Sequence, residues 1–317
     1  MCQVNLERKA FVKPFLVSLS GSTLWGLSGT ASSALFKIFG INPLALLSIR
    51  LIVSSVLMIT LFRPKFPRED LKLFSAYVAV TFILQLSYLE TIKLSNAPTA
   101  TFLQFLYFPM VVLFELFMRR IRFSIPLLIG LALSLAGIVF LTVSISPYSS
   151  LRISLGALVI GLICALSAAI YTILSAPLIR KYGSIPIVSW SFLFAAVISI
   201  PTGVVPIIQF SATLTLNSLP LAFFLILFVS VFGTLIAFTL YSYGMRKISA
   251  SSAALSGTME PVSASIGSSI FLNQYLGEFQ YAGGLMIILS ILLCQYGIAR
   301  QKPSGNRIRR LIKIRMR

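Results

Sequence analysis

From Tyr182 to Met245 the chain runs for 64 residues without one charged side chain. Soluble domains carry about a quarter charged residues, so a run of this length belongs in lipid. It is also too long for one crossing, which takes roughly 20 apolar residues. The Pro206–Pro220 segment, with Gln209, Asn217 and several Ser and Thr, is therefore expected to divide it into a seventh and an eighth span. Other apolar stretches supply the rest: Lys13 to Lys37, Pro43 to Phe62, Leu73 to Leu89, Leu94 to Phe114, Phe123 to Leu151, Ile153 to Ile179, Ser249 to Ser269 and Phe279 to Ala299. The expected fold is an all-α integral membrane protein of ten transmembrane helices. The first apolar run is long enough to span, so a retained helix is expected there in place of a signal peptide.

The basic residues test that count independently. With the N-terminus in the cytoplasm, 22 of the 26 Lys and Arg fall in cytoplasmic loops and tails. Only Lys37, Lys93 and Arg152 lie opposite, and Arg50 sits within a span. This obeys the positive-inside rule and puts both termini in the cytoplasm. It also accounts for the net charge of +19 without nucleic acid, the Arg/Lys-rich tail being suited to anionic lipid. The chain has no His, and its three Cys are scattered, so His-dependent catalysis is excluded and neither metal nor cofactor is expected.

The stretch from Ser249 to Ser269 is rich in Gly, Ala, Ser and Thr and carries one charge, Glu260, followed by Pro261. Ser249, Ser252, Ser256, Glu260, Ser263 and Gly267 share one helical face. Small residues permit close helix approach in lipid, while an intramembrane carboxylate is costly and usually functional. The alternatives for Glu260 are a substrate or proton site, and an ion pair with Arg50. Glu115 and Arg119 are spaced for a helical salt bridge, as are Glu90 and Lys93.

The sequence repeats itself. Tyr88-Leu-Glu-Thr-Ile-Lys93 aligns with Tyr241-Ser-Tyr-Gly-Met-Arg246, each followed by a small-residue segment and then a mid-helix proline, Pro109 or Pro261. Gly130 and Gly284 continue the match. The offset stays near 153 residues, which indicates duplication. Five spans per copy would make the second enter the membrane from the opposite side, giving inverted repeats of the kind secondary transporters use. The expected layout is an N-terminal segment 1–13, a first repeat 14–151, a second repeat 152–299 and a basic tail 300–317.

Leu24-Trp25-Gly26, the Pro43…Arg50 spacing, the Tyr/Lys–small–Pro pattern of both halves and Leu276-Gly277-Glu278 after Pro261 together resemble the EamA branch of the drug/metabolite transporter superfamily. The resemblance covers about Phe15 to Ala299. It implies carriers, often exporters, of amino acids and other small metabolites, with a central cavity between two five-helix halves. One departure is Arg119-Arg120, where many relatives have an acidic residue after the fourth span.

Within this frame the candidate substrate residues are Trp25, Gln85, Tyr88, Gln104, Tyr107, Tyr171, Tyr241 and Glu260. Glu260 is also the candidate proton-coupling group, and Pro109 and Pro261 are candidate hinges. Aromatic rings and amides converging on a cavity suit a neutral or zwitterionic metabolite. The competing reading of Tyr88, Tyr241 and Tyr243 is the interfacial aromatic belt. A small-molecule substrate and membrane lipid are the expected partners, and the internal pseudo-dimer can act as a monomer. A sugar-phosphate or nucleotide-sugar carrier would need more intramembrane cations than Arg50 alone. A lipid enzyme would need a catalytic cluster, and a channel would need a filter motif; neither is visible.

Overall fold

The computed structural model describes residues 2–119, 121–142, 153–245 and 256–300. Ten helices account for nearly all of them. These are α1 (Cys2–Phe39), α2 (Pro43–Phe62), α3 (Leu71–Leu94), α4 (Ala97–Phe117), α5 (Ile125–Thr142), α6 (Leu155–Tyr182), α7 (Ser184–Thr213), α8 (Leu219–Gly244), α9 (Met259–Leu272) and α10 (Glu278–Ala299). Among the described residues, seven helices are long and apolar enough to cross a membrane, namely α2, α3, α4, α6, α7, α8 and α10; α5 is a shorter apolar helix. The helix α1 and the short α9 are richer in Ser, Thr and Gly, and they pack against each other.

Local chemistry fixes several helix starts. Pro43 opens α2, where its missing N–H costs nothing, and the Asn42 side chain accepts from Leu44 N at 2.9 Å. Asn96 does the same for α4, accepting from Thr99 N at 2.8 Å, and Ser154 caps α6 through Ala157 N at 3.1 Å. The division of the long uncharged run falls inside the expected Pro206–Pro220 segment, near its end. Helix α7 runs straight through Pro201 and Pro206 to Thr213, leaving only residues 214–218 as the link to α8. In lipid a proline can stay inside a helix where neighbouring groups make good the lost hydrogen bond, so Pro206 does not mark an end.

Small residues draw the helices together. Ser48 Oγ bonds Ser199 Oγ at 2.9 Å where α2 crosses α7. Helices α5 and α10 meet backbone to backbone, for a Cβ added at Gly283 would lie 2.6 Å from Gly137 O. Ser18 and Ser256 bond at 2.8 Å between α1 and the residues preceding α9, and Ser263 Oγ donates to Thr23 O at 3.1 Å. The remaining principal pairs are α3 with α6, α1 with α8, α1 with α9, α4 with α6, α2 with α8, α3 with α7 and α4 with α9. A core of Leu35, Leu46, Leu47, Leu51, Leu89, Phe192 and Val229 fills the space among α1, α2, α3, α7 and α8. Outward faces stay apolar, as at Ile270 and Phe271 on α9 and Phe223 on α8.

At one end of the bundle the α2–α3 loop is tied to the end of α6. Lys181 Nζ lies 2.6 Å from Asp70 Oδ2 and 2.9 Å from Glu69 Oε2, and Tyr182 OH donates to Asp70 Oδ2 at 2.7 Å. Trp190 of α7 donates from Nε1 to Pro64 O at 3.1 Å and stacks edge-on with Phe66. The indole thus braces a loop. The hydrogen bonds from Lys181 and Tyr182 hold the Asp70 carboxyl below the usual carboxylate range. A lowered folded-state value means that this contribution is complete above the unfolded value of about 3.9 and fades as pH falls through the lower folded one. Asp70→Asn should therefore open the loop at neutral pH, read as faster tryptic cleavage at Lys65, Arg68 or Lys72. The wild type should resist at every pH at which trypsin is active, because Asp70 stays ionised throughout that range. Equal cleavage rates at neutral pH would show that Trp190 and the Lys181–Glu69 pair hold the loop without Asp70.

Candidate functional site

Two helices break at matching places. Helix α4 is interrupted at Leu106, whose N–H reaches back only to Leu103 O and which has φ −61 and ψ −12, with Pro109 three residues on. The approach to α9 is interrupted at Thr258, with φ −63 and ψ −9, and Pro261 again follows three residues later. Both prolines lie in the first turn of the helix after the break, where a missing N–H is tolerated. Glu260 is in the first turn of α9, where exposed N–H groups and the helix dipole favour a negative charge.

The duplicated positions explain what surrounds that carboxylate. Tyr88 on α3 and Tyr241 on α8, matched in the repeat, both lie within electrostatic reach of Glu260. So do Tyr107, just past the α4 break, and Cys164 on α6. Tyr88 OH is held by Thr101 Oγ1 at 3.2 Å. Trp25 on α1 covers the far side of Tyr241 with ring centroids 4.7 Å apart, and it meets Phe238 edge-on at 4.8 Å. Leu84, Cys164 and Ala168 form the apolar floor on which Tyr88, Tyr107 and Tyr171 pack. Tyr88 and Tyr241 thus face inward, not along the interfacial belt. Tyr243, by contrast, is about half exposed.

Glu260 is 9% exposed, and among the described residues no hydrogen bond or ion pair reaches its carboxylate. The expected alternative, a pair with Arg50, is not formed; the ion pairs among the described residues are those of Lys181. Glu115 and Arg119, and Glu90 and Lys93, are likewise not within ion-pair distance. The small-residue face is used for packing in the way its composition suggests. Ser256, Ser263 and Gly267 lie against Ser18, Thr23 and Thr30 of α1, and a Cβ on Gly26 would strike Ser263 Oγ and Glu260 O. Ser249 and Ser252 lie outside the described residues.

Several buried polar atoms lack a hydrogen-bond partner. Among the described residues they include Trp25 Nε1, Gln104 Oε1 and Arg50 Nε. Arg50 Nη2 donates to Gln85 Oε1, so this amide faces α2. Tyr171 lies nearer the α6 terminus, stacked on Tyr77 at 4.7 Å. The eight expected substrate residues therefore fall into four sets. Tyr88, Tyr107 and Tyr241 lie within electrostatic reach of Glu260, with Trp25 packed on Tyr241; Gln85 serves Arg50; Tyr171 packs with Tyr77; and Gln104 is one turn before Tyr107. Sequence reasoning gave Cys164 no role at this site, for it carries no signal beyond its apolar run, whereas Phe238 shares a helical face with Tyr241 that spacing does reveal. The Arg50–Gln85 contact was legible only in part, through the rarity of a basic residue inside a span. No group of three or more metal-ligating side chains occurs among the described residues.

Comparison with known proteins agrees with this architecture. The model of the EamA-like transporter family matches the chain twice, at residues 13–143 and 155–295. The uncharacterized inner membrane transporter YicL of Salmonella typhimurium is 33% identical over 292 residues, covering 89% of this chain and 94% of that protein. The uncharacterized transporter YvbV of Bacillus subtilis is 27% identical over 321 residues, covering 96% of this chain and 97% of that one. A solved crystal structure superposes with a TM-score of 0.63 over 91% of this chain and 98% of its own, at 17% identity, a likeness of fold alone. A twofold family match, a relative above 30% identity along nearly its whole length and a bundle of apolar helices lead to one conclusion: the chain belongs to the EamA-like transporter family and is a multi-pass cell-membrane transporter.

Proposed function

We propose that the protein is a secondary carrier that exports small zwitterionic or neutral metabolites such as amino acids across the cytoplasmic membrane. Two inverted five-helix repeats, 14–151 and 152–299, rock about a site between them, with both termini in the cytoplasm. The observation that carries this reading is the unpartnered Glu260 carboxylate, buried among side chains from both repeats beside two broken helices. Transporter sites typically lie at such discontinuities near the bilayer midplane. The helix pairing supports the duplication: exchanging α1–α5 with α6–α10 turns α3–α6 into α8–α1 and α1–α9 into α6–α4, pairs that all occur. It leaves α2–α7, α5–α10 and α4–α9 as they are.

Trp25, Tyr88, Tyr107 and Tyr241 bind substrate directly, and Gln85, Gln104 and Tyr171 complete its surroundings. Glu260 takes up a proton or the substrate's ammonium in turn. Pro109 and Pro261 are the hinges, each one turn past a break. No step requires a cofactor or bond-making chemistry. The reading is tested by counterflow in proteoliposomes loaded with unlabelled amino acids. Accumulation of labelled amino acid against that pool is expected; accumulation only of phosphorylated sugars or nucleotide sugars would move the substrate to the anionic class.

A further inference from the structure

We infer that Arg50 and Gln85 form a second, anion-binding pole of the substrate site, which takes the substrate's carboxylate while Glu260 takes its ammonium. This rests on the carrier reading and assigns its substrate a pair of opposite charges.

Arg50 lies in α2, well inside a span, and is 6% exposed. Of its guanidinium, Nη2 donates to the neutral Gln85 Oε1, while Nε is buried with no hydrogen-bond partner among the described residues. No described carboxylate lies within ion-pair distance of it. Ser54 Oγ bonds the Arg50 backbone carbonyl, not the side chain. A buried guanidinium facing one neutral amide is expensive, because its desolvation is not offset by an opposite charge. Glu260 has the same deficit with the opposite sign. Neither relieves the other, yet one stretch of α3 and α1 joins them: Gln85 lies one turn before Tyr88, whose hydroxyl is held by Thr101 and lies against Gly29, one turn along α1 from the Gly26 that meets Glu260 O. Two separated poles that do not neutralise each other are complementary to a zwitterion. A monocation would leave Arg50 uncompensated, and a monoanion would leave Glu260 so. The guanidinium fork is also the donor geometry that fits a carboxylate.

The test is ligand-induced thermal stabilisation of the detergent-purified full chain. The probes are amino acids, each set beside its decarboxylated amine and its deaminated acid, for example phenylalanine, 2-phenylethylamine and 3-phenylpropionate. The wild type should bind an amino acid about tenfold to a hundredfold more tightly than either one-pole analogue, the scale of one charge-assisted contact. Arg50→Gln should bring the amine level with the amino acid and leave the discrimination against the acid intact. Because that variant exchanges a core residue, Gln85→Glu is the companion. A carboxylate there neutralises Arg50 internally and should erase the same preference in a protein that still folds. A wild type that binds amine and amino acid equally, or that answers no member of the panel, overturns the inference. So does an undiminished carboxylate preference in either variant. Counterflow of any metabolite by Arg50→Gln at the wild-type rate would overturn the second pole alone and leave the carrier standing.

Discussion

Glu260→Gln should reduce transport about a hundredfold while leaving a folded protein in the membrane. The size follows from losing a charge-assisted contact of about 3 kcal/mol, at 1.4 kcal/mol per factor of ten. Survival of the fold follows from the local structure. Among the described residues the carboxylate has no hydrogen-bond or ion-pair partner to lose, and the amide has the same shape. Removing an unneutralised buried charge also removes its desolvation cost, so the variant should unfold at or above the wild-type temperature. If Glu260 cycles a proton, whatever pH dependence the wild-type rate has should flatten in the variant. Counterflow and thermal unfolding on the same preparation separate the possibilities. Loss of transport with unchanged stability is expected. A normal rate and pH profile would remove Glu260 from the mechanism, and collapse of the fold would return it to a structural role.

The sequence was most informative where lipid imposes a rule. Helices α2 and α10 begin and end within about two residues of the apolar runs that announced them, because charge and proline at the interface leave little freedom. The 153-residue offset between Tyr88 and Tyr241 marks two matched tyrosines, and both lie within electrostatic reach of Glu260. Proline was less legible. Pro206 passes through α7 unbroken, whereas Pro109 and Pro261 each follow a break; the difference lies in neighbouring helices, which one strand of sequence does not display. Long-range contacts were the least visible. Nothing near Lys181 in the sequence points to Asp70, and nothing near Arg50 points to Gln85, since both contacts depend on how helices cross. A helical face can be read from spacing, but the residue it meets depends on packing.

That distinction sets the second large effect. Gly26→Val should destabilise the protein by about 3 kcal/mol or more, the upper part of the range for overpacking, and should abolish transport with it. On α1, Gly26 faces the first turn of α9, and an added Cβ would stand 2.7 Å from Ala264 N and closer still to Ser263 Oγ and Glu260 O. Two of those atoms are backbone, so a rotamer change cannot make room. Either α1 moves off α9 or α9 shifts along it. The first exposes Ser18, Thr23 and Thr30 to lipid without Ser256, Ser263 and Ser268; the second displaces Glu260 from its tyrosines. Gly156→Ala is the control, for its Cβ would meet nothing nearer than Ser154 Oγ at 3.9 Å, and it should leave the unfolding temperature unchanged. Thermal unfolding of the two variants beside the wild type is the measurement. Wild-type stability in Gly26→Val would mean that α1 and α9 do not stay in contact, and the carboxylate would then lack the fixed position on which binding a substrate at Glu260 depends.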